Sequence, residues 1–488
     1  MCEGSIVKMM KKINLKKLKK IHLIGIGGIG MSGMARILLG YKIKVSGSDL
    51  TPSVVTHNLE KLGVKIYLGR HKAKNVNPDI QLVIHSLAVP KTNPEILQAK
   101  KLKIKILSYP EMLGELTQDK FSICIAGTHG KTTTTAMIAS ILEEAGLDPT
   151  VLIGSNLEKF RGNAKVGKSK YFVIEADEYR SAFLNYHPNI IVLTNIEYEH
   201  PDYFKNLNHV KATFTKFIQK LPKDGTLIVN ADNKNAQALA KFTRGEVLTY
   251  GIKAQKPDFL GTNIEKIKGI PRFNIKWNNK VIDDLKLSIP GIHNVENALA
   301  ACAVGLKLKV LPRICKFALS SYKGAWRRFE LKGQVNGIVV IDDYAHHPTE
   351  IKVTLSAARD RFPKKEIICV FQPHHMLRFQ KLFSDFVKSF DLVDEIIVSE
   401  IYAVAGREDK KLKLSSKDLV TKLKARGKIA RYFPKFVDIV KYLVKRTERK
   451  RNIVIITMGA GDITTVANKL INKLKIKRRM LRKGKLTR

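Results

Sequence analysis

The stretch FSICIAGTHGKTTTT, residues 121–135, decides the fold of this chain. It begins with an apolar run of strand length. A polar loop follows and leads into a helical pattern with apolar residues from Met137 to Leu142 on one face. A glycine-rich turn at a helix N-terminus presents backbone N–H groups to an anion, and Lys131 adds a positive charge. The loop therefore predicts a site for a nucleotide phosphate, formed by Gly127, Thr128, His129, Gly130, Lys131, Thr132 and Thr133.

This loop is a variant of the P-loop. The strict pattern requires a second glycine five residues before Gly130, where this chain has Ile125. The shorter pattern GxxGKT is moderately specific. It is the agreement of strand, loop and helix that favours phosphate binding over a structural turn. By its position, the Thr132 hydroxyl is expected to join a Mg²⁺ coordination shell.

Short apolar runs alternate with helical patterns on both sides of the loop, which predicts an α/β architecture with parallel sheets. Three blocks of this kind predict three domains, of which the first is expected to be a compact mononucleotide-binding domain. The expected boundaries are a basic extension at 1–20, domains at 21–118, 119–321 and 322–475, and a basic tail at 476–488. Both basic ends are expected to be frayed. Segment 250–290 alternates in polarity and is expected to form a small antiparallel insertion.

Composition and charge narrow the class of protein. Hydrophobic residues make up 44% and charged residues 27%, as in globular enzymes. The formal charge of +44 could indicate a nucleic-acid-binding protein, but the lysines are spread over the whole chain without a recognisable nucleic-acid-binding motif. A positive surface that attracts nucleotides is the favoured interpretation. The absence of an apolar run of about 18 residues predicts no membrane insertion. Five scattered cysteines predict a cytoplasmic location.

A second glycine-rich loop, GIGGIG at 25–30, follows the first predicted strand. With Asp49, which lies 19 residues beyond Gly30, it matches the dinucleotide-binding fingerprint and alone would suggest a dehydrogenase that uses NAD. The match is weak, because such a loop could equally hold the pyrophosphate of another nucleotide or only pack strand against helix.

Polar side chains follow several other predicted strands, at EADE (175–178), NIEYEH (195–200), DDYAHH (342–347) and QPHHMLR (372–378). Ligands of open α/β sheets bind beyond the carboxyl ends of the strands, so these segments are expected to meet there. Glu175 and His200 are the candidate Mg²⁺ ligands. The other acids of the first two segments are interpreted as exposed loop residues; they are Asp177, Glu178, Glu197 and Glu199.

Two further segments offer nucleotide contacts. His293 and Asn297 open a predicted helix, where the asparagine could cap the helix or present its amide to a purine. Arg327 and Arg328 are adjacent guanidinium groups suited to phosphate or carboxylate.

Taken in order from Ile21 to Leu470, these motifs resemble those of the Mur ligases. The segments that carry the resemblance are HLIGIGGIGMSGMA, SGSD, AGTHGKTTTT, IEADEYRSAFL, NIEYEHPDYF, PGIHNVENALAA, RRFE, DDYAHHPTEI, FQPH and GAGD. The resemblance implies a Rossmann-like N-terminal domain that holds UDP-N-acetylmuramate, a central P-loop-type ATPase domain and a Rossmann-like C-terminal domain that closes over both. It also implies that ATP and Mg²⁺ are used to join L-alanine to the substrate carboxylate through an acyl phosphate.

Site residues carried over from the family fall into five groups. Catalytic roles are implied for Lys131, His200, His293 and Arg378. ATP contacts beyond the phosphate loop are implied for Asn297, Arg328 and Asp343. Mg²⁺ ligation is implied for Thr132, Glu175 and His200. UDP-substrate contacts are implied for Gly25, Gly27, Gly28, Gly30, Ser48, Asp49 and Ser86. The amino-acid side is implied for Tyr344, His347, His374 and Arg378. The group that accepts the amine proton stays open.

Arg180, His375 and Met376 depart from the family pattern and bear on substrate contacts. A sibling ligase that attaches a tripeptide shares GTHGKTTT, but a GxCGTFMG-like first loop would be expected in it. A dehydrogenase would leave the GTHGKTTTT loop unused, and a nucleic-acid-binding protein would explain only the charge. The expected partners are small-molecule substrates and no nucleic acid, and the expected assembly is a monomer or homodimer.

Overall fold

The computed structural model describes residues 13–278, 280–403, 413–449 and 452–486. Three sheets of five, ten and six strands follow one another along the chain, and helices pack on them. The predicted α/β class with three domains is confirmed. Short 3-10 helices occur at Leu15–Lys17, Ala73–Asn75, Glu158–Phe160, Tyr179–Asn185 and Ala240–Phe242.

The N-terminal sheet is parallel and has the strand order β3-β2-β1-β4-β5, the order of a mononucleotide-binding fold. Its elements are β1 (Lys20–Ile24), α1 (Ile29–Gly40), β2 (Lys44–Asp49), α2 (Val54–Glu60), β3 (Lys65–Leu68), β4 (Leu82–His85), α3 (Pro94–Lys101), β5 (Lys105–Ser108) and α4 (Tyr109–Gln118). Ile24 pairs in register with Ser48 and His85. The residues that follow these three strands therefore meet at one edge of the sheet.

The central sheet has the order β15-β14-β13-β12-β11-β10-β6-β9-β7-β8. Its elements are β6 (Phe121–Ala126), α5 (Lys131–Glu144), β7 (Thr150–Leu157), β8 (Gly162–Lys165), β9 (Tyr171–Glu175), β10 (Ile190–Leu193), α6 (Leu207–Ile218), β11 (Thr226–Asn230), α7 (Lys234–Gln237), β12 (Glu246–Gly251), β13 (Phe259–Ile267), β14 (Ile270–Trp277), β15 (Lys280–Lys286), α8 (His293–Lys307) and α9 (Pro312–Ser321). Strand β6 lies between β10 and β9 and is parallel to both. Strands β13 to β15 pair antiparallel, as expected for the insertion.

The C-terminal sheet has the order β16-β17-β21-β18-β19-β20, with β16 antiparallel to β17 and the other pairs parallel. Its elements are β16 (Glu330–Val335), β17 (Ile338–Asp343), α10 (Pro348–Arg361), β18 (Glu366–Phe371), α11 (Met376–Lys381), α12 (Phe383–Val387), β19 (Glu395–Val398), α13 (Ser416–Ala425), β20 (Ile429–Tyr432), α14 (Phe436–Arg449), β21 (Ile453–Met458) and α15 (Thr464–Leu486).

Helix α5 shows why the phosphate loop is rigid. It contacts both α8 and α9, and its apolar residues from Ala136 to Leu142 are fully buried, as are Thr134 and Thr135. The sequence predicted a single apolar face, whereas the helix is buried almost all round. Each large aliphatic side chain buried in this way contributes about 1.5–3 kcal/mol. The helix N-terminus, which carries the loop, is therefore anchored in the core.

The expectation of frayed ends is wrong where the structure describes them. Helix α15 continues to Leu486, well into the predicted tail, because long lysine and arginine side chains favour helix. At the other end Ile13, Leu15 and Leu18 pack against the core. Residues 1–12 and 487–488 lie outside the described part. Among the described helices, none has the length and apolar character needed to cross a bilayer.

Candidate active site

Two glycines and one asparagine shape the phosphate loop between β6 and α5. Gly127 has φ +137, and a Cβ atom there would lie 2.0 Å from Oγ1 of Thr194. Gly130 has φ +84, a conformation that also favours glycine. The N–H groups of Thr128 and His129 donate to the carbonyl and side-chain oxygens of Asn195, at 2.9 and 2.8 Å. The segment after β10 thus holds the first half of the loop. The first turn of α5 then presents N–H groups that have no acceptor within the helix.

Lys131 is paired beneath this loop. Its Nζ atom donates to Oε2 of Glu178 at 2.9 Å and to the carbonyl oxygen of Thr128 at 3.2 Å. Glu178 is 1% exposed, so its interpretation as an exposed loop acid is wrong. Burial raises the pKa of Glu178 despite the ammonium beside it. Its Oε1 atom is buried without a hydrogen-bond partner among the described residues. The pair therefore places one free carboxylate oxygen next to the loop.

Thr132 and Glu175, two of the predicted metal ligands, lie together. The Thr132 hydroxyl donates to Oε2 of Glu175 at 3.2 Å, and the N–H of Gly154 donates to the other carboxylate oxygen at 2.6 Å. Nη2 of Arg328 lies 3.3 Å from Oγ1 of Thr132. Burial raises the pKa of Glu175. These hard oxygens at the start of α5 suit Mg²⁺.

His200, the third predicted ligand, stands in a different group. Its ring lies against that of Tyr179, with the centroids 4.7 Å apart and the planes tilted by 38°. One potential ligand atom each from His200, Asp177 and Glu178 lies within 4.8 Å of the others. The sequence predicted a set of Glu175 with His200; the structure instead groups His200 with the two acids that follow β9.

The segment after β10 also binds the C-terminal domain. Nε of Arg378 donates to Oε1 of Glu199 at 2.7 Å, and both side chains are buried. The hydroxyl of Thr349 donates to Oε2 of Glu197 at 2.7 Å. The interpretation of Glu199 as an exposed acid is therefore wrong. Although it is buried, the charge of Arg378 holds the pKa of Glu199 well below its usual value.

His129 and His347 face each other across the two domains, with ring centroids 4.7 Å apart. Nδ1 of His129 lies 3.1 Å from Oε1 of Glu350, and its Nε2 lies 3.5 Å from Oε2 of Glu197. Burial alone would lower the pKa of His129, but the two carboxylates raise it to about 9. The pKa of His347 is lowered by burial and by the charge of His129. Neither Glu350 nor Glu197 was predicted as a site residue.

Beside this pair lies a second group of histidines. Nδ1 of His374 lies 3.1 Å from Nη1 of Arg378, and its ring stacks on Tyr402 with centroids 5.3 Å apart. His346 lies 5.7 Å away, measured between ring centroids. Burial lowers the pKa of His346 to about 4 and that of His374 to about 2, so both rings are neutral at pH 7. The sequence offered no signal for Tyr402, which comes from a distant loop.

The two adjacent arginines have different roles. Arg327 is buried, and its Nε donates to Oδ2 of Asp342 at 2.9 Å, which makes it structural. Arg328 faces the phosphate loop and lies over the ring of Tyr344 at 5.2 Å. The Asp343 carboxylate accepts the N–H groups of Phe329 and Ala345, both at 2.7 Å. Asp343 therefore shapes the loops around Arg328.

Asn297 and His293 lie on α8 behind the phosphate loop. Asn297 lies inside the helix rather than at its cap; it accepts from the Thr134 hydroxyl at 3.0 Å and donates to Asn294 at 3.0 Å. Its Oδ1 would lie 2.9 Å from a Cβ atom at Gly130. The Nδ1 atom of His293 is buried without a partner among the described residues. Burial lowers the pKa of His293 to about 4.

The GIGGIG loop, where the sequence predicts a second nucleotide site, lies at the edge of the N-terminal sheet. The N–H of Gly25 donates to the carbonyl of Ser48 at 2.8 Å, and that of Gly27 donates to Oδ2 of Asp49 at 2.8 Å. A Cβ atom at Gly30 would lie 2.7 Å from the ring of Tyr109. Asp49 thus supports the loop itself.

Two other residues were predicted at this edge. The hydroxyl of Ser48 is buried and donates to Oε2 of Glu95 at 2.6 Å. The Ser86 hydroxyl accepts from the N–H of Ala88 at 3.3 Å, and its Cβ would lie 3.1 Å from one at Gly25. Gly28 has more room, since its nearest neighbour would be a backbone oxygen at 3.6 Å.

Three family models match consecutive parts of the chain. They describe the Mur ligase family catalytic domain at residues 20–121, the Mur ligase middle domain at 125–305 and the Mur ligase glutamate ligase domain at 327–461. The chain belongs to the Mur ligase family. The resemblance found in the motifs is therefore confirmed.

Two relatives of this Mur ligase carry the same enzyme name. A UDP-N-acetylmuramate–L-alanine ligase of Clostridium botulinum is 45% identical over 441 residues, which cover 90% of this chain and 94% of the relative. The ligase of the same name from Alkaliphilus metalliredigens is 43% identical over the same shares.

Two solved structures of Mur ligases are similar to this chain over nearly its whole length. The UDP-N-acetylmuramate–alanine ligase of Thermotoga maritima superposes with a TM-score of 0.81 at 30% identity, covering 94% of this chain and 99% of that one. A murein peptide ligase of Psychrobacter arcticus gives 0.70 at 27% identity, with 93% and 98% covered. The alanine ligase is thus the better match on both measures.

Proposed function

We propose that this Mur ligase joins L-alanine to the carboxylate of UDP-N-acetylmuramate and consumes ATP, in the synthesis of peptidoglycan precursors. The observation that carries the proposal is the meeting of three parts at the start of α5. The phosphate loop supplies Lys131, β9 supplies Glu175, and the C-terminal domain supplies Arg328 within 3.3 Å of Thr132. Relatives of this name that match over nine-tenths of the chain support the same activity.

The reaction we propose has two steps. The carboxylate of UDP-N-acetylmuramate attacks the γ-phosphorus of ATP, so that ADP leaves and an acyl phosphate forms. The amine of L-alanine then attacks the acyl carbon, inorganic phosphate leaves, and the amine loses a proton. Phosphoryl transfer depends mainly on positioning and charge neutralisation. Lys131 and Arg328 supply the positive charge at the phosphates, and the N–H groups at the start of α5 orient them.

The residues present fit Mg²⁺. Thr132 and Glu175 offer oxygens 3.2 Å apart, and Oε1 of Glu178 is a buried carboxylate oxygen without a partner among the described residues. We propose that Thr132 and Glu175 hold one ion with the nucleotide phosphates, and that His200 contributes to a second beside Glu178. The ions would neutralise phosphate charge in the transition state.

We propose that the UDP substrate and the amino acid are held by different domains. We propose that the GIGGIG loop, with Ser48, Asp49 and Ser86 at the same edge, holds the UDP moiety. The amino acid lies on the side of the C-terminal domain, near Tyr344, His347, His374 and Arg378. Arg378 suits the alanine carboxylate, since a guanidinium pairs well with a carboxylate. The neutral ring of His374 adjoins it.

ATP as a substrate suggests a cytoplasmic enzyme. Among the described cysteines, Cys124, Cys302, Cys315 and Cys369 are free and buried, which fits a reducing compartment. We propose a monomer or homodimer that binds small molecules and no nucleic acid.

Release of ADP tests the function. The purified chain is assayed with ATP, Mg²⁺, UDP-N-acetylmuramate and a panel of amino acids that includes glycine, L-serine and L-alanine, with the tripeptide substrate in a parallel reaction. We expect release to require both UDP-N-acetylmuramate and L-alanine. Preference for the tripeptide would identify the sibling ligase instead. Release without either substrate, or an absorbance change at the nicotinamide band with NAD, would overturn the proposal.

A further inference from the structure

The ring of His129 lies where three segments of the chain meet. Its backbone belongs to the phosphate loop, and its N–H and carbonyl groups bind Asn195 and Thr194 of the central domain, at 2.8 and 2.6 Å. Its side chain leaves that domain and reaches Glu350 on α10, with 3.1 Å between Nδ1 and Oε1. The loop that surrounds the phosphates is thus tied directly to the C-terminal domain.

Backbone hydrogen bonds orient the Glu350 carboxylate for this contact. Its Oε2 atom accepts the N–H groups of His346 and His347 at the start of α10, at 3.1 and 3.3 Å. Those bonds leave Oε1 directed at His129. The carboxylate therefore connects the N-terminus of a C-terminal-domain helix to the phosphate loop, and any rotation of the domain away from the loop breaks the contact.

The other ring nitrogen faces a second carboxylate. Nε2 of His129 lies 3.5 Å from Oε2 of Glu197, the same oxygen that accepts the hydroxyl of Thr349 on α10. Nε2 makes no hydrogen bond within the described part of the chain, so its approach to Glu197 is an ion-pair contact of the ring and not a second hydrogen bond. The two carboxylates come from different domains, so the ring acts between them.

We propose that His129 is a positioning residue that links the phosphate loop to Glu350 and so couples nucleotide binding to closure of the C-terminal domain. This inference rests on the proposed function, because the nucleotide is the ligand of the loop. His129, Glu197 and His347 also form a group whose potential ligand atoms lie within 4.8 Å of each other. A divalent transition metal there is the competing interpretation. The bridge to Glu350 uses Nδ1, whereas a metal would take Nε2, which makes no hydrogen bond within the described part of the chain, so a measurement of metal content separates the two interpretations.

Helix α10 offers a matched control. Asp360, on the same helix, also reaches the central domain, with Oδ2 at 2.7 Å from Nζ of Lys266. Glu350→Gln and Asp360→Asn each remove one charge from one interdomain contact, but only the first touches the phosphate loop. His129→Gln tests the other side of the bridge. Thermal unfolding of all three variants establishes that they are folded.

The variants are compared by steady-state ADP release and by small-angle X-ray scattering with and without ADP and Mg²⁺. For His129→Gln and Glu350→Gln we expect kcat/KM for ATP to fall by about 10-fold or more, the size of a typical coupling between sites. The KM for UDP-N-acetylmuramate should change little, and the nucleotide-induced decrease in radius of gyration should shrink. Asp360→Asn should behave as the wild type.

The coupling is refuted if His129→Gln and Glu350→Gln match Asp360→Asn in both measurements. It is also refuted if the wild type binds one equivalent of Zn²⁺, measured by mass spectrometry after dialysis, and His129→Gln loses it; the group would then be a metal centre. A wild type that releases no ADP with both substrates contradicts the proposed function instead. In that case the scattering comparison alone decides whether the bridge exists.

Discussion

Nζ of Lys131 lies 2.9 Å from Oε2 of Glu178, and the two side chains form an ion pair buried beneath the phosphate loop. Burial works against both charges. The neighbouring carboxylates nevertheless raise the pKa of Lys131, so the ammonium stays charged at any physiological pH. A carboxylate placed behind the loop thus keeps the cation in position for phosphate.

Replacing Lys131 should reduce both the rate of ADP release and the stability of the fold. We expect Lys131→Met to reduce ADP release by at least about 100-fold, because a preorganised charge at the transferred phosphate is lost. It should also lower the free energy of unfolding by about 3–5 kcal/mol, since Glu178 is left buried and unpaired. Urea unfolding and ADP release measure the two effects.

The double variant Lys131→Met with Glu178→Gln is the control. It should recover much of the stability, because no uncompensated charge remains, and none of the turnover. Near-normal turnover in Lys131→Met would show that the loop does not act on phosphate.

The pair of Arg378 and Glu199 is expected to hold the central and C-terminal domains together. Because both side chains are buried and 2.7 Å apart, their interaction is poorly screened by solvent. A double-mutant cycle in the free energy of unfolding with Arg378→Met and Glu199→Gln should give a coupling energy of about 1–3 kcal/mol. Strictly additive effects would mean that the pair does not contribute as a unit. The exposed pair of Arg272 and Asp284, also at 2.7 Å, should show a much weaker coupling, because solvent screens it.

Alanine substitutions at Gly127 and Gly63 distinguish the cost of an unfavourable backbone conformation from the cost of a steric clash. Both have positive φ, +137 and +85, but a Cβ atom at Gly127 would meet Thr194 at 2.0 Å, whereas a Cβ atom at Gly63 would have no neighbour within 4 Å. Gly63→Ala should cost about 1–2 kcal/mol of unfolding free energy from conformation alone. Gly127→Ala should cost more by at least about 1 kcal/mol and abolish nucleotide binding, because the loop has to shift. Equal losses of stability in the two variants would contradict the close contact between Gly127 and Thr194.

Glu95 should give the N-terminal domain an acid-sensitive stability. It is fully buried, yet hydrogen bonds from His22, Ser48 and Asn75 overcome the effect of burial and lower its pKa to about 2. A carboxyl group whose pKa falls on folding stabilises the fold above its unfolded pKa, near 4.5, and loses that contribution as the pH falls towards 2. The shift corresponds to about 3 kcal/mol.

Urea unfolding between pH 6 and about pH 2.5 checks this expectation. The wild type should lose stability through this window, and Glu95→Gln should lose less while starting from a lower value. Asp79→Asn, at an exposed position on the same domain, should follow the wild-type curve. A variant Glu95→Gln with an unchanged pH dependence would contradict the assignment.

Much of the fold could be predicted from the sequence, because the spacing of apolar residues and the polar or glycine-rich segments between strands and helices are local features. The apolar run 121–126 and the polar loop after it became β6 and the turn into α5, and the segment 250–290 became an antiparallel insertion. The basic tail was misjudged, since charge alone does not oppose helix formation where lysine and arginine dominate.

The sequence by itself determined the residue types at the strand ends, the order of the three domains and, through its motifs, the Mur ligase family. Only the tertiary structure decided which of those residues meet. It buried Glu178 and Glu199 beside Lys131 and Arg378, turned Arg327 inward and Arg328 towards the loop, and set His129 between Glu197 and Glu350. The physical reason is that burial and pairing depend on contacts between segments as much as 221 residues apart. No local pattern records those contacts.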